Sequence, residues 1–155
     1  MPFPNRTPLP RPVHGIYVRN VLQSHGGYFA AAWAEAEPLP DGHPDGFEFV
    51  NAVPPVGPRG ECLPEDLAAA FAQGLRLAWH AAGGAQPGLV ALVRLVDARW
   101  HREDSTPRAF RMTGELAALE ISRCVSENRD PRPVLRSSRQ PYLPWERSMF
   151  GVLSD

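Results

Sequence analysis

The stretch that decides the fold begins with GFEFVN at residues 46–51 and ends with HREDSTPRAF at residues 101–110. Between them, LVALVRLV at residues 89–96 is apolar on both faces of an extended chain, which predicts a strand in the interior of a sheet. Another strand is predicted over Phe47–Val53, because Phe47, Phe49 and Val53 share one face and Glu48 lies on the other. The whole stretch predicts the order strand, helix, strand, helix.

The two helices of this stretch carry apolar stripes at helical spacing. The first is predicted to begin near Leu63, with Pro64 in its first turn, and to end at Gly83-Gly84. The second is predicted to be capped by Asp104 or Ser105. The buried faces are expected to comprise Leu67, Ala70, Phe71, Gly74, Leu75, Ala78 and Ala82 in the first helix, and Phe110, Thr113, Ala117, Ile121 and Cys124 in the second.

Two further strands precede this stretch. Alternation predicts one over 15–22 and another over 28–37, joined by a glycine-containing turn at 23–27. Three strands followed by a helix, a strand and a helix are typical of an α+β fold. We therefore expect a two-layer sandwich in which two helices cover one face of a four-stranded sheet.

Composition excludes several classes of function. The 155 residues suit one domain, and all 16 basic residues are arginine, so a phosphate-binding loop ending in Gly-Lys-Ser/Thr is absent. The formal net charge of −1 argues against a general nucleic-acid binder. No apolar run suggests a membrane span or a signal peptide, so we expect a cytoplasmic protein.

Cofactor and metal sites are likewise not expected. Two cysteines, Cys62 and Cys124, and five scattered histidines give no zinc spacing. We expect both thiols to be buried or half-buried and unpaired. No nucleophile with a neighbouring base stands out, because Asp104 and Ser105 follow His101 too closely to form a relay. These features predict a non-catalytic chain with no catalytic residues, no metal, no cofactor and no bound nucleotide.

Proline and arginine divide the chain into three parts. Residues 1–13 are rich in proline and are predicted to form an extended or disordered tail. Residues 14–127 are predicted to form the domain. Residues 128–155 combine arginine, proline and aromatic residues and are predicted to be a second tail, either solvated, bound to single-stranded RNA, or folded back onto the domain.

In this order the segments resemble domain IV of translation elongation factor G and its ribosome-protection relatives. The family has Gly-Phe-Glu-Phe-Val-Asn where this chain has residues 46–51, and Glu-Phe-Ile-Pro where it has ECLP at 61–64. A helix with Lys-Gly-Ile corresponds to GLRLA at 74–78. Asp-Gly-Ser-Tyr-His corresponds to residues 97–101, and Asp-Ser-Ser and then Ala-Phe follow it. The spacing from His101 to Phe110 matches the family without a gap.

The resemblance covers roughly residues 15–125 and has implications for the fold and the partner. It implies a left-handed βαβ crossover through the first helix, an exception to the usual rule. It also implies an arm that reaches the ribosomal decoding site. One departure is the turn at 23–27, which lacks the Arg-Gly-Gln of the family and carries His25 instead.

The candidate RNA-binding residues follow from the resemblance, which places a histidine at the tip of this arm where the chain has His101. They are Arg99, Trp100, His101 and Arg102, with Gln23 and His25 in the adjacent turn. Arginine binds phosphate and an aromatic ring stacks on bases, whereas the alternative is an exposed turn whose Trp100 packs inward. Two functions remain open: a stand-alone domain that binds the ribosome or structured RNA, and a protein-interaction module that kept the fold but lost RNA binding.

Overall fold

The computed structural model describes residues 6–22, 28–39, 46–80 and 88–137. They form six strands and two helices. In chain order these are β1 (Arg6–Pro8), β2 (Val13–Leu22), β3 (Tyr28–Pro38), β4 (Phe47–Asn51), α1 (Glu65–His80), β5 (Gly88–Arg99), α2 (Pro107–Glu127) and β6 (Val134–Ser137).

One mixed sheet contains all six strands, and both helices pack on the same face of it. Residues 91–95 of β5 pair with β4 on one side and with β3 on the other, and the sheet continues through β2 to β6. The predicted α+β sandwich is confirmed, and so is the interior position of the apolar strand. The sheet has six strands rather than four, because short β1 and β6 are added to it.

The two crossover connections have the same hand. Strands β4, β5, β2 and β6 run in one direction and β3 runs in the other. The connections β4–α1–β5 and β5–α2–β6 step the same way across the sheet and pass over the same face. The resemblance implies that the connection through α1 is left-handed, and this stays a prediction. Because the two connections have the same hand, the prediction covers both of them.

The core lies between the helices and the sheet. All members of the predicted second stripe are fully buried, and so are Phe71 and Leu75 of α1. Val93 and Leu95 of β5 face the helices and are also fully buried. Residues 81–87 lie outside the described residues, and with them Ala82 and the predicted glycine stop of α1. The periodicity of the chain therefore identified the helix–sheet interface.

The helices approach each other closely at a pair of glycines. A Cβ built on Gly74 would overlap the carbonyl oxygen of Arg111 and lie 2.9 Å from the amide nitrogen of Glu115. A Cβ on Gly114 would overlap the carbonyl oxygen of Phe71. Only glycine permits this backbone contact, which brings α1 and α2 into a single layer.

A buried carboxylate fixes the segment after α2. Glu120 is 3% exposed and accepts hydrogen bonds from both Nη atoms of Arg129, at 2.6 and 3.2 Å, and from the amide of Arg132, at 2.9 Å. Arg11, from the proline-rich start, donates to the carbonyl oxygens of Cys124 and Arg129. The segment between β1 and β2 thus meets the segment after α2 at the C-terminus of that helix.

Three sequence expectations need correction. The predicted tails contribute β1 and β6 to the sheet, so residues 6–8 and 134–137 belong to the fold. The cap of α2 is Thr106, whose Oγ1 accepts from the amide of Ala109, because Pro107 is the first helical residue. Both thiols are free as expected and Cys124 is buried, but Cys62 is exposed.

Candidate functional site

A short loop after β5 forms the candidate site, and Ser105 holds it in place. The Ser105 hydroxyl donates to the carbonyl oxygen of Phe29 at 2.6 Å and accepts from the amide of His101 at 2.7 Å. The Ser105 amide donates to the His101 carbonyl, and the Phe29 amide donates to the Asp104 carbonyl. These bonds tie residues 101–105, the tip loop, to the start of β3. The loop lies at the end of the sheet.

His101 projects from the tip loop with its side chain 56% exposed. Its Nδ1 lies 3.4 Å from Asp104 Oδ2 and 3.4 Å from the amide nitrogen of Glu103, and its ring lies 6.5 Å from that of Phe29. The Nδ1 side is therefore occupied within the loop. The opposite edge of the imidazole is available to a partner as a hydrogen-bonding group.

Trp100 and Arg102 contribute to the site in different ways. The Trp100 side chain is half-buried and packs against the core, so it anchors the loop as the inward-packing alternative requires. Arg102 is exposed. Both line an open groove of about 580 Å³ beside the tip loop.

The other wall of this groove comes from the segment before α1 and from the first turn of α1. Its lining includes Glu61, Cys62, Pro64, Asp66 and Leu67. Paired backbone hydrogen bonds of 2.8 Å between Val56 and Glu61 close a tight hairpin that positions this wall. Sequence reasoning did not bring these residues to the site, because nothing in their local pattern shows that the segment packs beside the tip loop.

Arg99 does not join the groove. Its guanidinium donates to Asp97 Oδ1 at 2.6 Å and to the Ala98 carbonyl at 2.8 Å, and lies 5.6 Å from the centre of the Trp33 ring. It therefore lies on the sheet face opposite the helices. The structure brings Trp100, His101 and Arg102 together and leaves Arg99 apart from them. Gln23 and His25 lie outside the described residues.

The chemistry of the groove is mixed. Arg102 offers a bidentate donor for phosphate or carboxylate, and His101 offers one exposed ring edge. Glu61 and Asp66 are exposed carboxylates that repel phosphate and accept from N–H donors such as those of bases or cationic side chains. The Ser105 hydroxyl is engaged by two backbone groups and holds the loop against β3.

Among the described residues, there is no group of three or more His, Cys, Asp or Glu side chains that could hold a metal ion. Neither α1 nor α2 combines the length and apolar character that a membrane span needs.

Sequence comparison finds a relative in translation. Over 106 residues the chain is 34% identical to an "Elongation factor G-like protein" of Mycobacterium tuberculosis (strain CDC 1551 / Oshkosh). The match covers 67% of this chain and 14% of that protein, so the chain spans about a seventh of its relative. No protein-family model matches the chain.

Structural comparison agrees on the fold. A crystal structure of a protein from Thermus thermophilus superposes with a TM-score of 0.53 at 18% identity, over 77% of this chain and 17% of the other. At that identity the likeness supports the fold alone. Together with the sequence match, it confirms the resemblance to domain IV of elongation factor G that the residues indicate.

Proposed function

This chain resembles domain IV of elongation factor G, and from that likeness we propose that it binds ribosomal or other structured RNA through its tip loop. The role is binding without catalysis, in the cytoplasm. The observation that carries the proposal is the braced loop at the end of the sheet, in which His101 and Arg102 are exposed while Ser105 and Trp100 hold the backbone. Such a preorganised loop loses little conformational entropy on binding.

Co-sedimentation of the full chain with purified ribosomal subunits, at several salt concentrations, tests this function. Arg102→Ala is expected to weaken binding on the order of tenfold, because a charge-assisted hydrogen bond is lost. It is also expected to lower the slope of log affinity against log salt by about one phosphate contact. Arg99→Ala is expected to have a smaller effect, since Asp97 and Trp33 already engage Arg99.

Arg59→Ala is the matched control, because Arg59 is exposed in the hairpin before α1 and does not line the groove. Equal losses for Arg59→Ala and Arg102→Ala would indicate general charge attraction instead of a tip-loop site. Absence of any subunit binding by the parent chain would contradict the proposal.

A protein-interaction module is the second candidate, and the carboxylates of the groove favour it. Glu61 and Asp66 face the same space as Arg102, and the net charge of the chain is −1. The double change Glu61→Gln and Asp66→Asn separates the two functions. An RNA site should then bind subunits more tightly, because repulsion of phosphate is reduced, whereas a site for a basic peptide should lose affinity.

The proposed role requires no nucleotide chemistry from this chain. We expect no saturable GTP binding and no GTP hydrolysis by the purified chain, since a phosphate-binding loop with its lysine is absent. Titration calorimetry with GTP and Mg²⁺ measures this directly. A saturable binding isotherm would contradict this expectation.

A further inference from the structure

The sheet has a second face, turned away from both helices. Side chains of β2, β3 and β5 project from it and are half-buried or exposed, whereas their neighbours in each strand are buried under the helices. This open face includes Tyr17, Arg19, Val21, Trp33, Glu35, Glu37, Leu92, Arg94, Val96, Asp97 and Arg99. Among the described residues, no helix or strand lies over it.

The centre of the open face is aromatic and already stacked. The rings of Tyr17 and Trp33 lie 4.8 Å apart at an interplanar angle of 27°. The Arg99 guanidinium also packs over the Trp33 ring. A nucleic-acid base would have to compete with these contacts to stack on Trp33. The Tyr17–Trp33 pair is therefore poorly suited to stacking on RNA bases.

The charges of the open face are largely compensated. Arg94 donates to Glu35 at 2.8 Å and to Glu37 at 3.3 Å, and Arg99 donates to Asp97. Neither a strongly basic nor a strongly acidic partner is therefore favoured. The face suits an occupant that brings apolar and aromatic side chains.

Strand β6 brings such a segment to the edge of this face. It pairs with β2 in parallel, with Ser137 opposite Val21, and Leu135 of β6 is 51% exposed beside Arg19. Residues 138–155 follow directly and include Tyr142, Leu143, Trp145, Met149 and Phe150. An extended chain of roughly 18 residues reaches about 60 Å, while three strand spacings amount to about 14 Å.

We propose that residues 138–155 of the same chain cover the open face, with Trp145 and its apolar neighbours packed beside the Tyr17–Trp33 pair. The exit point of β6, the reach of the segment and the aromatic side chains present both in the segment and at the centre of the open face support this arrangement. It does not depend on RNA binding by the tip loop. It assigns the aromatic residues of this segment to the fold rather than to a ligand.

Paramagnetic relaxation in the full chain tests this arrangement. A nitroxide is attached at Ser148→Cys in a Cys62→Ser background, because Cys124 is buried and burial raises the pKa of its thiol to about 11. The reporters are the Trp33 indole N–H signal and the Val96 methyl signals on the open face. The methyl signals of Leu77, which is exposed on α1 on the helix side of the sheet, serve as the control.

A docked segment should reduce the open-face signals by at least about half and leave Leu77 unchanged, since relaxation falls steeply with distance. Adding Trp145→Ser should restore the signals without unfolding the domain. An equal loss of Trp33 and Val96 signal intensity with and without Trp145→Ser would overturn the proposal. So would the absence of any such loss. Loss only in mixtures of labelled and isotope-enriched chains would assign the face to a second copy instead.

Discussion

Replacing Gly74 by alanine is expected to destabilise the protein by on the order of 2–3 kcal/mol. Helix propensity alone predicts the opposite sign, because alanine is favoured over glycine in a helix by about 1 kcal/mol. The added Cβ would overlap the backbone of α2 at Arg111, and backbone cannot rotate away as a side chain does. The helices would have to separate, which would open gaps around Phe71 and Leu75.

Thermal and denaturant unfolding of Gly74→Ala measures the change. Gln73→Ala is the matched control, since Gln73 is the exposed neighbour in the same helix and should change stability by less than about 0.5 kcal/mol. Gly114→Ala should behave like Gly74→Ala, because its Cβ would meet the Phe71 carbonyl. A stabilised Gly74→Ala variant would show that the helices do not cross in backbone contact.

Removal of the buried carboxylate after α2 is expected to have a similarly large effect. Glu120→Gln should lower the free energy of unfolding by on the order of 3 kcal/mol at neutral pH, because Arg129 loses its buried partner. Glu127→Gln is the matched control. Glu127 also contacts Arg129, but its side chain is 52% exposed, and such pairs contribute about 1 kcal/mol or less.

This effect should depend on pH in a defined direction. Burial by itself raises the pKa of Glu120, but hydrogen bonds from Arg129 and Arg132, together with the charge of Arg129, hold the pKa below its ordinary value of 4.5. A carboxyl with a lowered pKa contributes stability above its unfolded pKa and loses it as pH falls through its folded pKa. The difference in free energy of unfolding between the parent and Glu120→Gln, called the stability gap below, should therefore be largest at neutral pH. It should become smaller as the pH falls below 4.5.

Denaturant unfolding from neutral pH down to acidic pH, with parent, Glu120→Gln and Glu127→Gln side by side, measures the stability gap. A stability gap that stays constant as the pH falls well below 4.5 would mean that Glu120 is not the titrating group. Equal effects of the two substitutions would mean that Glu120 is solvated rather than buried.

Part of the candidate site was predictable from local sequence. The matched spacing from His101 to Phe110 placed a loop between the strand and α2, and the structure has that loop. The role of Ser105 was not predictable, because a serine before a helix most often acts as its cap. Here Thr106 takes that position, and Ser105 instead joins the loop to β3, a contact between residues 76 positions apart.

The orientation of Arg99 shows why alternation alone fails at this site. Strict alternation from the buried Leu95 would point Arg99 toward the helices. In the pairing of β5 with β3, Trp33 lies opposite Asp97 and Ala34 opposite Leu95, so Val96 is an extra residue. This β-bulge reverses the faces, burying Ala98 and turning Arg99 to the open side.

The sequence by itself determined the order of the central strands and helices, the buried helix stripes and the interior position of β5. These follow from side-chain periodicity, which is a local property of helices and strands. Only the tertiary structure decided that β1 and β6 extend the sheet, that Gly74 and Gly114 meet, and that a groove forms beside the tip loop. Each of these depends on contacts between residues far apart in the chain, and such contacts leave no periodic mark on the sequence.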